Sequence, residues 1–279
     1  MRGGLKAGSR AALAGAICGV AAAVGASCTD VATEPGAIVS IQFDSLASPS
    51  IVRGDSLRDV NGVAVPARVI AFDVDGDTVA DAPARFFYVP GDTVAAVQDA
   101  VQVDSITGDV TARPDAPINT QGRIAARVGN VPAEPYGLVV VARPDTARPS
   151  KPTSAAAPAD TLGYVAGDSS VTSGDVFTVA VVDSAGQAVQ GYWVTYSVEY
   201  AAAAVADSVR LSSDGTRPST RVATSPTAGI AGRRLRVFMK AGATDADNVV
   251  VVGRVTYHGV DVNGSPVRLY VRLQPGTGT

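Results

Sequence analysis

From residue 37 onward, apolar residues come in short Val-rich runs broken by Gly, Pro, Asp and Asn, and no long stretch carries them at helical spacing. That pattern predicts an all-β chain. Candidate strands fall at 37–43, 63–74, 83–90, 122–128 and 136–141 in the first half, and at 175–183, 191–200, 232–239, 248–257 and 265–273 in the second. Between the halves, residues 142–160 carry Pro144, Pro149, Pro152 and Pro158 among Ala, Ser and Thr, a composition that favours extended polyproline II and offers no core. The expected architecture is two tandem β-sandwich domains, residues 37–143 and 161–275, joined by a Pro-rich linker over 144–160.

An internal repeat supports the division. Val69-Ile70-Ala71-Phe72-Asp73 through Gly76 and Val79 matches Val179-Ala180-Val181-Val182-Asp183 through Gly186 and Val189, at a constant offset of 110 positions. The match continues through Ala84/Val194, Phe86/Tyr196 and Tyr88/Val198, one period-2 face that is apolar in both copies. In each copy Asp-x-x-Gly supplies a tight turn, because Gly tolerates positive φ and Asp bonds its own backbone.

These residues, with Gly54-Asp55, Thr107-Gly108-Asp109-Val110-Thr111-Ala112 and the run 122–128, make the first half resemble bacterial immunoglobulin-like domains of group 2. The second half is similar to the invasin-type, group 1 pattern through Asp183-Ser184-Ala185-Gly186, Val189, Gly191 and Thr227-Ala228-Gly229-Ile230-Ala231-Gly232. The resemblance implies immunoglobulin-like sandwiches that bind, space or adhere without catalysis. One departure is local: Gly54 and Asp73 are 19 positions apart, Gly174 and Asp183 only 9. About ten extra residues around 58–65 must therefore form a loop or strand extension in the first copy.

Ahead of these halves, Arg2, Lys6 and Arg10 precede an uncharged Ala/Gly/Val/Ile stretch over 11–27, the pattern of a secretory signal peptide. Gly25-Ala26-Ser27-Cys28 resembles the lipobox of bacterial lipoproteins, with Gly25 where that family carries a larger apolar residue; the competing cleavage is after Ala26. The resemblance implies residues 1–27 as a lipoprotein-type leader and Cys28 as the lipidated first mature residue. Both cysteines, Cys18 and Cys28, lie in this segment, so the body cannot form an internal disulfide and depends on its core.

The chain is 46% hydrophobic and 18% charged, which excludes disorder on composition. Its formal charge of −3 becomes −6 when the leader takes away three of the 23 basic residues and none of the 26 acids. No basic field for nucleic acid remains. The single histidine, His258, excludes a multi-histidine metal site and reads as a solvated strand-end or turn residue. No cofactor motif is present.

Four acids, Asp73, Asp75, Asp77 and Asp81, place oxygen ligands within one turn. As a calcium loop the segment fails the EF-hand pattern, with Gly at the fourth position and Ala84 at the twelfth, and a plain Asp-Gly hairpin is the stronger reading. Arg53-Gly54-Asp55 spells an integrin tripeptide but also meets the demands of a turn before a strand, and the turn reading prevails. Period 2 over 192–200 puts Tyr192, Val194, Tyr196, Val198 and Tyr200 on one face and turns Trp193 outward; the same register turns Phe87 outward in the first copy. Trp193 and Phe87 are the contact candidates. The chain thus reads as an exported, lipid-anchored envelope protein, a non-catalytic binding or scaffolding module for envelope proteins or polysaccharide. Two other readings are an accessory subunit on the periplasmic side of a membrane complex and a carbohydrate-binding or carbohydrate-active protein.

Overall fold

The computed structural model describes residues 37–44, 48–91, 99–151, 153–164, 171–173, 176–200, 209–212, 220–237 and 247–275. Cys18, Cys28 and the leader lie outside the described residues. Every regular element among the described residues is a β-strand.

The first half contains β1 (Ser40–Phe43), β2 (Ser50–Val52), β3 (Val69–Phe72), β4 (Thr78–Val79), β5 (Ala84–Pro90), β6 (Val101–Val103), β7 (Val110–Ala112), β8 (Gln121–Val128), β9 (Val131–Pro132) and β10 (Tyr136–Val141). One sheet runs β1-β3-β4, a second runs β2-β10-β8-β5 with β9 on β8, and β6 pairs β7. All pairings are antiparallel except β2 with β10, which is parallel from Ser50↔Val139 to Val52↔Val141. Alternation explains the layering: along β8 the burial pattern eBeBBBeB sends Ile124 and Ala126 into the core and leaves Arg123 and Arg127 outside.

The second half contains β11 (Thr146–Pro149), β12 (Asp160–Tyr164), β13 (Val171–Thr172), β14 (Phe177–Val182), β15 (Trp193–Tyr200), β16 (Val209–Leu211), β17 (Thr220–Ala223), β18 (Ile230–Arg233), β19 (Leu235–Val237), β20 (Asp247–Arg254), β21 (Thr256–Tyr257), β22 (Val260–Asp261) and β23 (Val267–Pro275). It repeats the plan of the first half. β11-β14-β18 forms one sheet, β12-β23-β20-β15-β17 another, and β12 runs parallel to β23 as β2 does to β10. In both halves the first strand thus joins one sheet and the second crosses to the other, the two-layer arrangement of an immunoglobulin-like sandwich.

The 110-residue repeat is reproduced at the level of single hydrogen bonds. Asp73 Oδ1 accepts the amides of Asp75 and Asp77 at 3.0 and 2.9 Å, and Asp183 Oδ1 accepts those of Ala185 and Gln187 at 2.9 and 2.8 Å. Phe72 pairs with Thr78 and, 110 positions on, Val182 bridges Ala188. Gly76 and Gly186 take φ of 82° and 77° at the same corner of each turn.

Each half has its own apolar cluster, one around Ile51, Leu57, Phe86 and Ile124, the other around Phe177, Val194, Tyr196 and Leu269. The boundary between them is not a gap. Val52 and Val141, the last residues of β2 and β10, belong to the cluster of the second half. Fully burying a valine of this kind is worth about 1.5–3 kcal/mol, which ties the end of the first sandwich to the second.

The segment 144–160 departs from its sequence reading. It is neither a free tether nor core-less: Thr146–Pro149 is strand β11, paired antiparallel with β14, and Ala147 is buried in the second cluster. Its other described residues include Ser150, whose N donates to Thr178 O at 3.1 Å, and Ala159, whose N donates to Tyr270 O at 2.7 Å, both on the second half. Proline is compatible with this strand because β11 lies at a sheet edge, where one row of amides needs no partner strand.

Candidate functional site at the junction of the halves

The junction is built by two turns. After β2, Gly54 at φ 77° reverses the chain, and the strand-like Ser56-Leu57 then lies on β7, with Leu57 N donating to Val110 O at 2.9 Å. Leu57, 1% exposed, anchors this segment in the first core. The extra residues then form a short hairpin: Arg58 bridges Ala64, and Asp59 Oδ1 caps the turn by accepting the amides of Asn61 and Val63, each at 2.9 Å. From the second half, β21 and β22 bring His258 (φ 52°) and Gly259 (φ 76°) to a hairpin tip.

The two turns meet backbone to backbone. A Cβ on Gly62 would fall onto the amide of Gly259 and within 2.6 Å of the His258 carbonyl carbon, so only glycine permits this approach. Arg58 Nη1 donates to Gly62 O at 2.8 Å and holds the turn in place.

Asp55 stands at the centre, its side chain 12% exposed. Its Oδ1 accepts from Ser56 N and Arg58 Nη2, both at 2.8 Å, and its Oδ2 from Arg58 Nε at 2.9 Å, Tyr257 Oη at 3.2 Å and His258 Nε2 at 2.7 Å. A carboxylate only accepts, so His258 Nε2 carries the proton in this contact. Burial alone would push the Asp55 carboxyl up, but the Arg58 guanidinium, His258 and the Ser56 amide together hold it well below the usual carboxylate range. Tyr257 stacks on His258 with centroids 4.0 Å apart, and the Arg143 guanidinium sits 4.9 Å from the other aromatic centre, the Tyr257 ring.

Beside this cluster a cavity of about 350 Å³ lies between the halves, lined by Ser48, Asp59 and Asn61 from one side and Trp193, Thr195 and Arg254 from the other. Tyr192 walls it and donates to Thr256 O at 2.8 Å, its hydroxyl pushed up by burial. Chemically the cluster is a fastener. Five donors occupy the lone pairs of Asp55, which leaves that carboxylate no vacant site from which to act as a general base.

The sequence candidates fall as follows. Trp193 is half-buried and lines the cavity between the halves, while its neighbours Val194 and Tyr196 are fully buried on the core face. Phe87 is 43% exposed on β5, next to the buried Phe86. Among the described residues no three His, Cys, Asp or Glu side chains converge as metal ligands, and Asp73 is occupied by the turn amides rather than by its neighbouring acids. Cys28 lies outside the described residues. His258 is a turn residue with an exposed ring, as expected, but its tie to Asp55 was not foreseen; neither were the roles of Arg58, Tyr257 and Arg143. The usable signal was the longer spacing from Gly54 to Asp73, since the inserted residues form the turn that reaches the second half.

No protein-family model matches the sequence, and no curated protein matches it. Solved structures with similarity include domains 4–9 of the surface-layer protein SbsC, over 87% of this chain and 31% of that one, at 12% identity and TM-score 0.28. Another is the Yersinia pseudotuberculosis adhesin InvE, over 85% of this chain and 58% of that one, at 13% identity and TM-score 0.29. The Escherichia coli adhesin FdeC aligns over 84% of this chain and 65% of its own, at 17% identity and TM-score 0.28. The chain therefore spans less than two thirds of the length of each.

Proposed function

We propose that this chain is an exported, non-catalytic binding module of a bacterial envelope, held at a membrane through lipid on Cys28, in which two immunoglobulin-like sandwiches act as one stiff unit. Its outer sheet faces are the working surfaces and its partners are other envelope molecules. The observation that supports this reading is the junction: Asp55 is shared between Arg58 of its own half and Tyr257 and His258 of the other, while Val52 and Val141 enter the second core. A paired carboxylate, interlocked turns and two valines of the first half set in the second core suit a spacer that presents a surface at fixed orientation.

The test has two arms in intact cells. A fatty-acid probe should label the protein and labelling should vanish in Cys28→Ala; labelling that persists refutes the anchor. Crosslinking followed by mass spectrometry should recover envelope components bound to the outer sheet faces. Hydrolytic turnover on a polysaccharide panel, abolished by changing one Asp or Glu, would overturn the non-catalytic reading.

A further inference from the structure

The outer face of the β5–β8 sheet carries a concentration of positive charge that the rest of this acidic chain does not predict. Register places Arg85 directly opposite Arg127, Phe87 opposite Ala125, and Val89 opposite Arg123. Arg85, Arg123 and Arg127 are exposed, and none forms an ion pair with a described residue. Like charges directly opposite on neighbouring strands destabilise a sheet, so this pair costs the fold rather than helping it. Phe87 stands between the charges, 43% exposed, a large apolar ring on a solvent-facing surface.

The face continues into a hollow. Beyond Arg123, β8 presents Gln121, and β10 presents Gly137, where a Cβ would meet open space. Gln121, Arg123 and Gly137 line a hollow of about 400 Å³ that reaches Gln190 and Gly191 of the second half. That volume is within the range of small-ligand sites. From Arg127 to Gln121 the strand provides a track of about 20 Å with one side chain every second residue.

We infer that this face binds an acidic polysaccharide, with one sugar ring on Phe87, its carboxylate groups on Arg85, Arg127 and Arg123, and the following unit in the hollow against Gln121 and Gln190. The pattern fits that chemistry because a polyuronate offers ring faces and negative charges in alternation. An acidic peptide offers charge without a repeating ring, and a flat membrane surface cannot enter a hollow whose walls mix Gln121 and Gln190 with Val139 and Pro226. This inference rests on reading the chain as a binding module and adds the class of partner.

The test uses the full chain and polygalacturonate, with dextran and polyglutamate of similar length as comparisons. Polygalacturonate should bind, dextran should not, and binding should weaken as salt rises. Phe87→Ala and Arg127→Ala should each weaken it by roughly tenfold, as loss of a central interface anchor does, while Phe87→Tyr should retain it. A melting temperature that does not fall in these surface variants separates lost contact from lost fold, and Arg127→Ala should raise it slightly by relieving the opposed charges. Equal binding of polyglutamate, binding untouched by either alanine variant, capture by anionic vesicles in place of the polyuronate, or no polygalacturonate binding at all would overturn the inference. If envelope crosslinks form in the parent while polygalacturonate does not bind it, only this inference falls; if no crosslinks form in the parent, the wider reading falls.

Discussion

Asp55 and His258 are separated by 203 positions, yet their side chains meet at 2.7 Å across the two halves of the chain. The same carboxylate is gripped by Nε and Nη2 of Arg58, so one acidic residue ties its own loop and a hairpin of the other half together. Asp55→Ala leaves a partly buried guanidinium, a phenol and an imidazole without their acceptor. It should cost roughly 2 kcal/mol of stability, whereas His258→Ala, whose ring is exposed, should cost under about 1 kcal/mol. Urea unfolding measures both. The lone Trp193 beside the junction supplies a second readout, since its emission should move to longer wavelength in Asp55→Ala while the far-ultraviolet spectrum stays that of a β protein.

Acid should undo the same tie. Asp55 is held below its unfolded value of about 3.9, so the unfolded chain takes up its proton first and stability rises with pH through that window. The contribution is complete above roughly pH 5 and is lost as pH falls through the folded value. The stability gap between the parent and Asp55→Asn should therefore be widest near neutral pH and narrow steadily below pH 4. A gap independent of pH in that range would show that the charge of Asp55 contributes nothing.

Glycine at the contact of the two turns can be weighed against glycine in a free turn. Gly62 and Gly76 have similar φ, 79° and 82°, but an added Cβ meets the backbone of His258 and Gly259 at the first and open space at the second. Gly76→Ala should cost about 1 kcal/mol for the left-handed backbone alone. Gly62→Ala should cost more, and its excess should disappear in Asp55→Ala if the junction has already opened. Thermal unfolding of the four variants measures the coupling.

The repeated hairpins should behave alike. Asp73 and Asp183 accept the same pair of turn amides, so Asp73→Ala and Asp183→Ala should each destabilise by about 1 kcal/mol, and the two effects should add because the turns are far apart in sequence and belong to different cores. Millimolar calcium should leave the melting temperature of the parent unchanged. A rise that Asp73→Ala abolishes would restore the calcium reading of Asp73, Asp75, Asp77 and Asp81.

What could be read from the sequence was whatever a period or a turn encodes locally. Alternation marked the buried face of β15 and the outward position of Phe87, and the Asp-x-x-Gly repeat marked the matching corners at Gly76 and Gly186. β11 was hidden because its composition, Thr-Ala-Arg-Pro, has little strand preference; its place depends on pairing with β14 and on burial of Ala147. β12, Asp-Thr-Leu-Gly-Tyr, was hidden for the same reason and is held by its parallel neighbour β23. The junction was out of reach because nothing local links Asp55 to Tyr257 and His258. Only the inserted stretch after Arg58 marked where the first half had extra chain to give.

In each sandwich the second strand lies parallel to the last, β2 along β10 and β12 along β23. A pull on the two ends of such a body drags these neighbours past one another lengthwise, so their ladder of backbone bonds is loaded in shear and must yield as a group instead of unzipping one rung at a time. Placed in series through Val52 and Val141, the two bodies should share such a load, each yielding only when its own ladder breaks as a whole.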